Sequence, residues 1–415
     1  VSTATTGQWG GPASISTSSF KLDYVKAAGG VTPSAADLAQ HCTADSSTSA
    51  MTATDIASGY TKGYTCTDAE MKAVLAGIDV VIDENFDSDN TYTHDMFMTK
   101  LNFSSAETAA VYPFLNNNVL RTDRLKVQSN VAGYATFGTA WFEDAIPRAD
   151  IVVDDLASYL HPTQAPSGYV PRFFRNIAAG ETVTLATAAE CDDPYATCPG
   201  EIAPPKPPME LNSCVFSSCV VAKLDPFELD EHGCLKNFDP TADYFSPEHR
   251  AMLTSTGSVP STLTFANDFS IEYFHTFKIL RHLSTQKVYV LHQCGAGDAP
   301  AAASLPADAA DAPVFTVPVQ TWSTGSTTSL AFMELLGLLN KAAVIDPSFA
   351  SSSCLLKLSA PECGVVDGVA NDYGAGWTTA ISDSSSTLHL EGGTSLSIDV
   401  DFAATSDPGV LARAE

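Results

Sequence analysis

One stretch of this chain, Lys287 to Leu339, leaves few folds open to it. It reads KVYVLHQCGAGDAP, then an Ala- and Asp-rich gap, then VFTVPVQTWSTGSTTSLAFMELLGLL. Residues 288–291 and 314–320 are short runs rich in β-branched and aromatic residues, the first ended by Cys294-Gly295 and Pro300. Their length suits buried strands of an α/β sheet. A crossover must join them. Residues 323–328 then precede an apolar run at helical spacing: Leu330, Met333, Leu335, Leu336, Leu338 and Leu339. Ser and Thr at a helix start accept the N–H groups that the first turn leaves unpaired. The pattern predicts a polar loop at the carboxyl end of a strand and at a helix N-terminus, on the same sheet edge as Cys294-Gly295. Open α/β sheets bind ligands at such places.

Ser323, Thr324, Ser326 and Thr327 are therefore candidate donors to an anionic or oxygen-rich ligand, with Trp322 at the edge of the site and Gly295 on the neighbouring loop. Helix capping alone would use one or two of the four. A second apolar strand, residues 78–82, runs into Asp83-Glu84, with Asp87 and Asp89 close behind. Hard cations take oxygen ligands, so Asp83 and Glu84 are candidates to meet a cation or ferric chelate. A solvated loop after a strand would present the same residues. The histidines are scattered without metal-ligand spacing, and no metal site is expected. The chain lacks a GxSxG elbow, an HExxH pair and a Walker loop, so no catalytic residues and no enzyme are expected.

With 415 residues the chain is long enough for two domains with cores of their own. Its formal charge of −27 argues against nucleic acid and anionic membranes as partners. The ten cysteines include no CxxC pair matched by a second, so disulfides in an oxidising compartment are expected in place of zinc. All ten are expected oxidised, with Cys42–Cys66 and Cys191–Cys198 as local bridges and Cys294–Cys354 as a third. Asn102-Phe103-Ser104 is a glycosylation sequon, which suits a secreted glycoprotein. No apolar run reaches the roughly 18 residues a membrane span needs.

In chain order, residues 20–25 (FKLDYV) read as a strand, 69–76 as a helix, 94–101 and 106–114 as helices, and 119–125 as a strand. Residues 138–162 carry an amphipathic helical pattern that Pro147 divides, with Trp141 and Phe142 in the core. Residues 201–208 (EIAPPKPP) read as an extended, semi-rigid linker. Tyr373 and Trp377, in a Gly-rich stretch, read equally as a cleft loop or as a plain connection.

Several of these pieces, taken in order, resemble class III periplasmic solute-binding proteins, the ferric-siderophore and cobalamin type. The nearest likeness is to secreted or surface-anchored homologues of unicellular algae. Strand–QCG, strand–STGSTT–helix–ELLG and SFASSSC (348–354) resemble the amino-terminal lobe, as do DYFSPEH (243–249), FANDFSIEYFHTFKIL (265–280) and SIDVDFAATSDPGVLARAE (397–415). FKLDYVKAAGG, the strand ending DEN, and WFEDAIPRADIVVDDLASYLHP resemble the carboxy-terminal lobe.

The resemblance implies an α/β fold of two Rossmann-like three-layer lobes in reversed order. Residues 1–180 would form the carboxy-terminal-type lobe, 181–208 a Cys- and Pro-rich linker, and 209–415 the amino-terminal-type lobe. The reversal fits a segment of a tandem array better than a circular permutant. It also implies an extracellular or cell-surface protein that captures a ferric chelate, corrinoid or haem-like small molecule between lobes, with other copies or repeats of itself as partners. The alternative is a structural repeat unit of an extracellular filament, flagellar hair or coat that keeps the fold without binding.

Overall fold

The computed structural model describes residues 3–7, 13–45, 57, 59, 61–85, 87, 90–104, 106–107, 117–128, 137–193, 196, 198, 229–230, 232–239, 259–260, 269–283, 286–325, 327–360, 363, 367–368, 388–390 and 399–400. It is a mixed α/β protein: helices alternate with several mixed sheets. The chain divides into two units. The first comprises Val1–Asp192, Thr327–Gly337 and Asp346–Glu362; the second comprises Asp193–Ser326, Leu338–Ile345 and Cys363–Glu415.

The first ten strands belong to the first unit: β1 (Thr3–Gly7), β2 (Ala13–Ser16), β3 (Thr43–Ala44), β4 (Gly63–Cys66), β5 (Val80–Asp83), β6 (Val119–Arg121), β7 (Leu125–Gln128), β8 (Phe137–Thr139), β9 (Arg175–Asn176) and β10 (Thr184–Ala186). A seven-stranded sheet runs β3-β4-β2-β1-β5-β6-β9, and β10-β7-β8 form a smaller sheet. Within the large sheet β1, β5 and β6 are parallel and the other pairings antiparallel.

Six helices accompany these strands: α1 (Ser19–Ala27), α2 (Ala35–His41), α3 (Asp68–Leu75), α4 (His94–Lys100), α5 (Ala140–Asp144) and α6 (Ala149–Leu160). Side chains alternate across a strand, and β5 shows what that does here. Val81 enters an apolar cluster with Leu38, Met71, Leu75 and Phe97 from α2, α3 and α4. Val80 and Ile82 enter another with Val25, Trp141, Val152 and Leu156 from α1, α5 and α6. Helices thus cover both faces, which is why β5 is buried throughout and apolar up to its last residue, Asp83. Reciprocal side-chain caps start α2 (Ser34 with Asp37) and α3 (Thr67 with Glu70).

Local expectations fare unevenly. Residues 20–25, expected as a strand, lie in α1: Leu22, Val25 and Ala28 recur every third residue and all are buried, which is a helical face. The single strand expected over 119–125 is two, β6 and β7, parted at Thr122–Arg124. Pro147 does divide α5 from α6. Trp141 is buried against Tyr24, Phe173 and Phe174, whereas Phe142 is 40% exposed, since its position turns it off the face that Trp141 occupies. Most of the helix expected at 106–114 lies outside the described residues, as do Tyr373 and Trp377.

The second unit holds two five-stranded sheets. In one, β11 (Val259–Pro260), β12 (Phe269–Tyr273), β13 (Phe277–His282) and β14 (Val288–Gln293) form an antiparallel meander, and β15 (Val314–Val317) adds parallel to β14. The pairing of β14 with β15 is the strand–crossover–strand read from the sequence. In the other sheet β16 (Trp322–Thr324) is central, with β17 (Ala342–Ile345) and β18 (Asp367–Gly368) on one side and β19 (Leu388–Leu390) and β20 (Asp399–Val400) on the other, all parallel. Two further helices, α7 (Leu330–Leu335) and α8 (Ser353–Ser359), belong to the first unit.

Four disulfides join described residues. Cys42 pairs with Cys66 across neighbouring strand ends of the first sheet, 4.7 Å apart at Cα. Cys191 pairs with Cys354 and Cys198 with Cys363, replacing the expected Cys191–Cys198 bridge. The reason is packing: the 3-10 turn Ala188–Glu190 lies along α8, which carries Cys354. That pairing also displaces the expected Cys294–Cys354, and Cys294 bonds Cys234. Cys214 and Cys219 lie outside the described residues.

Candidate functional site

The carboxyl ends of parallel β1, β5 and β6 point the same way, and the residues at and just beyond the ends of β5 and β6 are polar and buried: Asp83, Glu84, Asn85, Thr122 and Asp123. Burying charge costs several kcal/mol per ion unless each is paired, so the partners decide what this site can do. Arg121, 1% exposed, is its hub. Its Nη1 donates to Asp83 Oδ2 at 2.5 Å, its Nε to Asp123 Oδ2 at 3.0 Å, and its Nη2 to the Asn85 carbonyl at 2.6 Å. Its guanidinium also stacks 3.7 Å from the centre of the Tyr92 ring. Arg175 from β9 grips the same Asp123, donating from Nε at 2.6 Å and from Nη2 at 3.0 Å.

Further side chains extend the network. Asn85 donates to Asp83 Oδ1 from its backbone and its side-chain amide, and its own Oδ1 accepts from Lys100 at 2.9 Å. Lys126, 1% exposed, donates to the Asp87 carbonyl at 2.7 Å, with the Asp87 carboxylate 3.6 Å away. Lys21 on α1 pairs with Glu84 at 2.5 Å. Burial pushes the Asp83 carboxyl above its usual range even with Arg121 beside it. For Asp123 burial acts the same way, but Arg175 and Arg121 outweigh it and hold the carboxyl below its usual range. Burial lowers the Lys126 ammonium.

Asp83 and Asp123 thus spend both oxygens on arginine and asparagine donors. Among the described residues no three His, Cys, Asp or Glu side chains are grouped to hold a metal ion. Two atoms at the same strand ends are not spent. The Glu84 N–H bonds the Thr6 carbonyl at 2.8 Å, and among the described residues Thr6 Oγ1 and Glu84 Oε1, both buried, have no hydrogen-bond partner.

A second buried acidic group lies at β8 and α5. Glu143 is buried and accepts from the Ser351 N–H, with Thr327 near its carboxyl. Burial raises it to about 8. Asp144 beside it accepts from Arg172, lies 4.0 Å from Arg148, and takes a 3.4 Å contact from the Ser351 hydroxyl. Glu334 on α7 is pushed up by burial and by Asp144. Gly138 on β8 packs so closely on the Phe349 and Ala350 carbonyls that a Cβ there would collide with them.

The residues singled out around Trp322 are not a loop. Trp322, Ser323 and Thr324 form central strand β16, each at most 2% exposed. Trp322 Nε1 donates to the Leu338 carbonyl at 2.8 Å, Thr324 Oγ1 to the Leu390 carbonyl at 2.6 Å, and Ser323 Oγ meets His389 Nδ1 at 2.8 Å. Their aromatic and β-branched content suits a strand as well as a cap, and parallel neighbours on both sides decide it. Nor does the run cap α7: Ser329 at its N-cap has helical backbone and makes no side-chain cap. Ser323–Thr324 lie in one sheet and Cys294 follows β14 of another, so the shared edge expected of them is absent. Gly295 takes φ +79 and abuts the Leu235 backbone, beside the Cys234–Cys294 bridge. Thr327 belongs to the first unit, and Ser326 lies outside the described residues.

Sequence reasoning missed Arg121, Asp123, Lys126 and Arg175. The available signal was a charge set directly against an apolar run, as in VLRTD (119–123) and FFRN (173–176). No family model matches this chain, and no curated protein and no solved structure matches it either.

Proposed function

We propose that this chain is a disulfide-braced extracellular module that serves as a structural repeat unit of a filament, hair or coat, with a binding-protein type of fold and its ligand residues turned inward. One observation carries this reading. Two of the strand-end carboxylates, Asp83 and Asp123, where an α/β sheet would meet a ligand, are locked to Arg121 and Arg175. The disulfides support the compartment, because such bonds persist where the medium is oxidising. Assembly is the test. Purified chain at rising concentration should form ordered oligomers by sedimentation and electron microscopy; a chain that stays monomeric throughout defeats the reading.

A second reading, capture of a ferric chelate, corrinoid or haem-like molecule, draws on the sequence resemblance and on the unspent Thr6 Oγ1 and Glu84 Oε1 at the strand ends. Titration with ferric chelates, cobalamin and haem, followed by tryptophan fluorescence, decides it. Saturable quenching that Glu84→Ala abolishes would favour this reading over the first.

A further inference from the structure

We propose that Asn102 carries an N-linked glycan, held on a fixed turn with the α3–α4 side of the first unit facing solvent. Asn102-Phe103-Ser104 is the one Asn-X-Ser/Thr sequon in the chain. A sequon alone says little, but here the backbone around it is tied while the asparagine itself is exposed. Asn102 follows α4 by two residues and takes φ 55, a left-handed conformation that asparagine tolerates better than most residues. Its N–H donates to the Thr99 carbonyl at 3.0 Å, and its carbonyl accepts from Lys72 of α3 at 2.6 Å.

The next residue fastens the turn. Phe103 packs on the apolar cluster under α3 and α4, its N–H bonds the Met98 carbonyl at 2.9 Å, and the Lys72 ammonium lies 5.0 Å from its ring centre. The Ser104 hydroxyl donates to Glu107 at 2.7 Å, and Glu107 pairs with Lys72 at 2.9 Å. Lys72 therefore joins both helices beneath the turn. A bulky, solubilising glycan suits such a place, because it displaces no packed side chain.

The transfer needs a lipid-diphosphate-linked oligosaccharide and a host transferase. The bond between sugar C1 and the diphosphate oxygen breaks, C1 bonds the Asn102 amide nitrogen, that nitrogen loses one proton, and the lipid diphosphate leaves.

The inference rests on the extracellular reading, and its test separates the two. The full chain is secreted from a eukaryotic host and treated with peptide-N-glycosidase, native and denatured. The expected result is a mass loss and conversion of Asn102 to Asp in the peptide that contains it, equally complete in both states. Asn102→Gln and Ser104→Ala should lose the mass shift, and Ser104→Thr should keep it. Secreted, disulfide-bonded chain with unmodified Asn102 overturns the glycan and spares the extracellular reading. Cleavage only after denaturation overturns the solvent-facing placement. Chain retained in the cell with free thiols overturns both.

Discussion

In the first unit β5 is buried along its whole length, whereas in the second β12 is half-buried at all five positions and β13 fully buries only Ile279. The strand sandwiched between helix layers can carry an unbroken apolar run and, past its end, a buried charge network that a wet edge would not need. The described cluster under the meander is small, Ile279, Val290 and Ala309 with flanking Phe274, Phe277 and Leu305, and the Cys234–Cys294 bridge ties the end of β14 to the turn at Asp230. Where apolar burial is thin, a crosslink that limits the unfolded chain contributes more of the stability.

The largest effect should come from breaking the charge network. Arg121→Ala leaves Asp83 and Asp123 buried, each without one of its donors, and removing one member of a buried pair costs about 3–5 kcal/mol. Denaturant unfolding with hydrogen exchange read on β5 and β6 should show the loss there, with β13 and β14 little changed. A variant within about 0.5 kcal/mol of the parent would show that the network is solvated, not buried. Next in size is Cys234→Ala with Cys294→Ala. Opening this loop should cost about 3–4 kcal/mol, read as faster exchange across β13 and β14 while β5 holds its protection. Equal acceleration in both units would end the contrast drawn between them.

How much of this was legible depended on where the decisive contact lay. The strands expected at 78–82 and 288–291 could be read from their β-branched runs; of the buried strand expected over 314–320 only 314–317 forms, and it is exposed at Val314 and Thr316, because as an edge strand it has β14 on one side alone. Cys42–Cys66 could be read, since its partners close one local excursion. FKLDYV could not, since Phe20, Leu22 and Tyr24 at a spacing of two read as a strand as readily as Leu22, Val25 and Ala28 at a spacing of three read as a helix, and only the packing of α1 on α6 decides it. Ser323 and Thr324 looked like cap donors because hydroxyls serve strands and caps alike, and only β17 and β19 settle which. Arg121 was invisible for the same reason: a partner such as Arg175, 54 residues on by subtraction of their numbers, shares Asp123 only in the folded chain.

Glu143 gives the comparison a pH axis. Burial holds its folded value at about 8, against 4.5 when unfolded. Between those two values the native state keeps a proton that the unfolded state gives up. Stability from this group is therefore fully present below pH 4.5, falls as pH rises, and levels off above pH 8. The slope is at most about 1.4 kcal/mol per pH unit, or about 2 kcal/mol from pH 6 to about 7.5. Glu334, which burial and Asp144 also push up, adds a slope of its own, so the measurement is a difference. Unfolding free energies of the parent and Glu143→Gln should diverge as pH rises, with the glutamine variant losing less. Parallel curves would mean that Glu143 titrates normally.

The smallest effect belongs to the second unit and tests whether its buried polar groups are weaker supports than those of the first. Ser323 Oγ and His389 Nδ1 lie 2.8 Å apart, both fully buried, in adjacent parallel strands. Both groups are uncharged when the imidazole is neutral, so the bond lacks the charge assistance that strengthens Arg121–Asp83. A hydrogen bond between uncharged partners contributes about 1 kcal/mol net. Ser323→Ala should therefore lower the unfolding midpoint slightly and leave the β16 backbone in place, with exchange across β16 and β19 the readout. Ser323→Thr keeps the hydroxyl but adds a methyl group to a filled strand face, so it should be no better than alanine. A loss for Ser323→Ala as large as that for Arg121→Ala would mean that the second unit, too, depends on a buried polar centre, and that the small described cluster under its meander is not what sets the two apart.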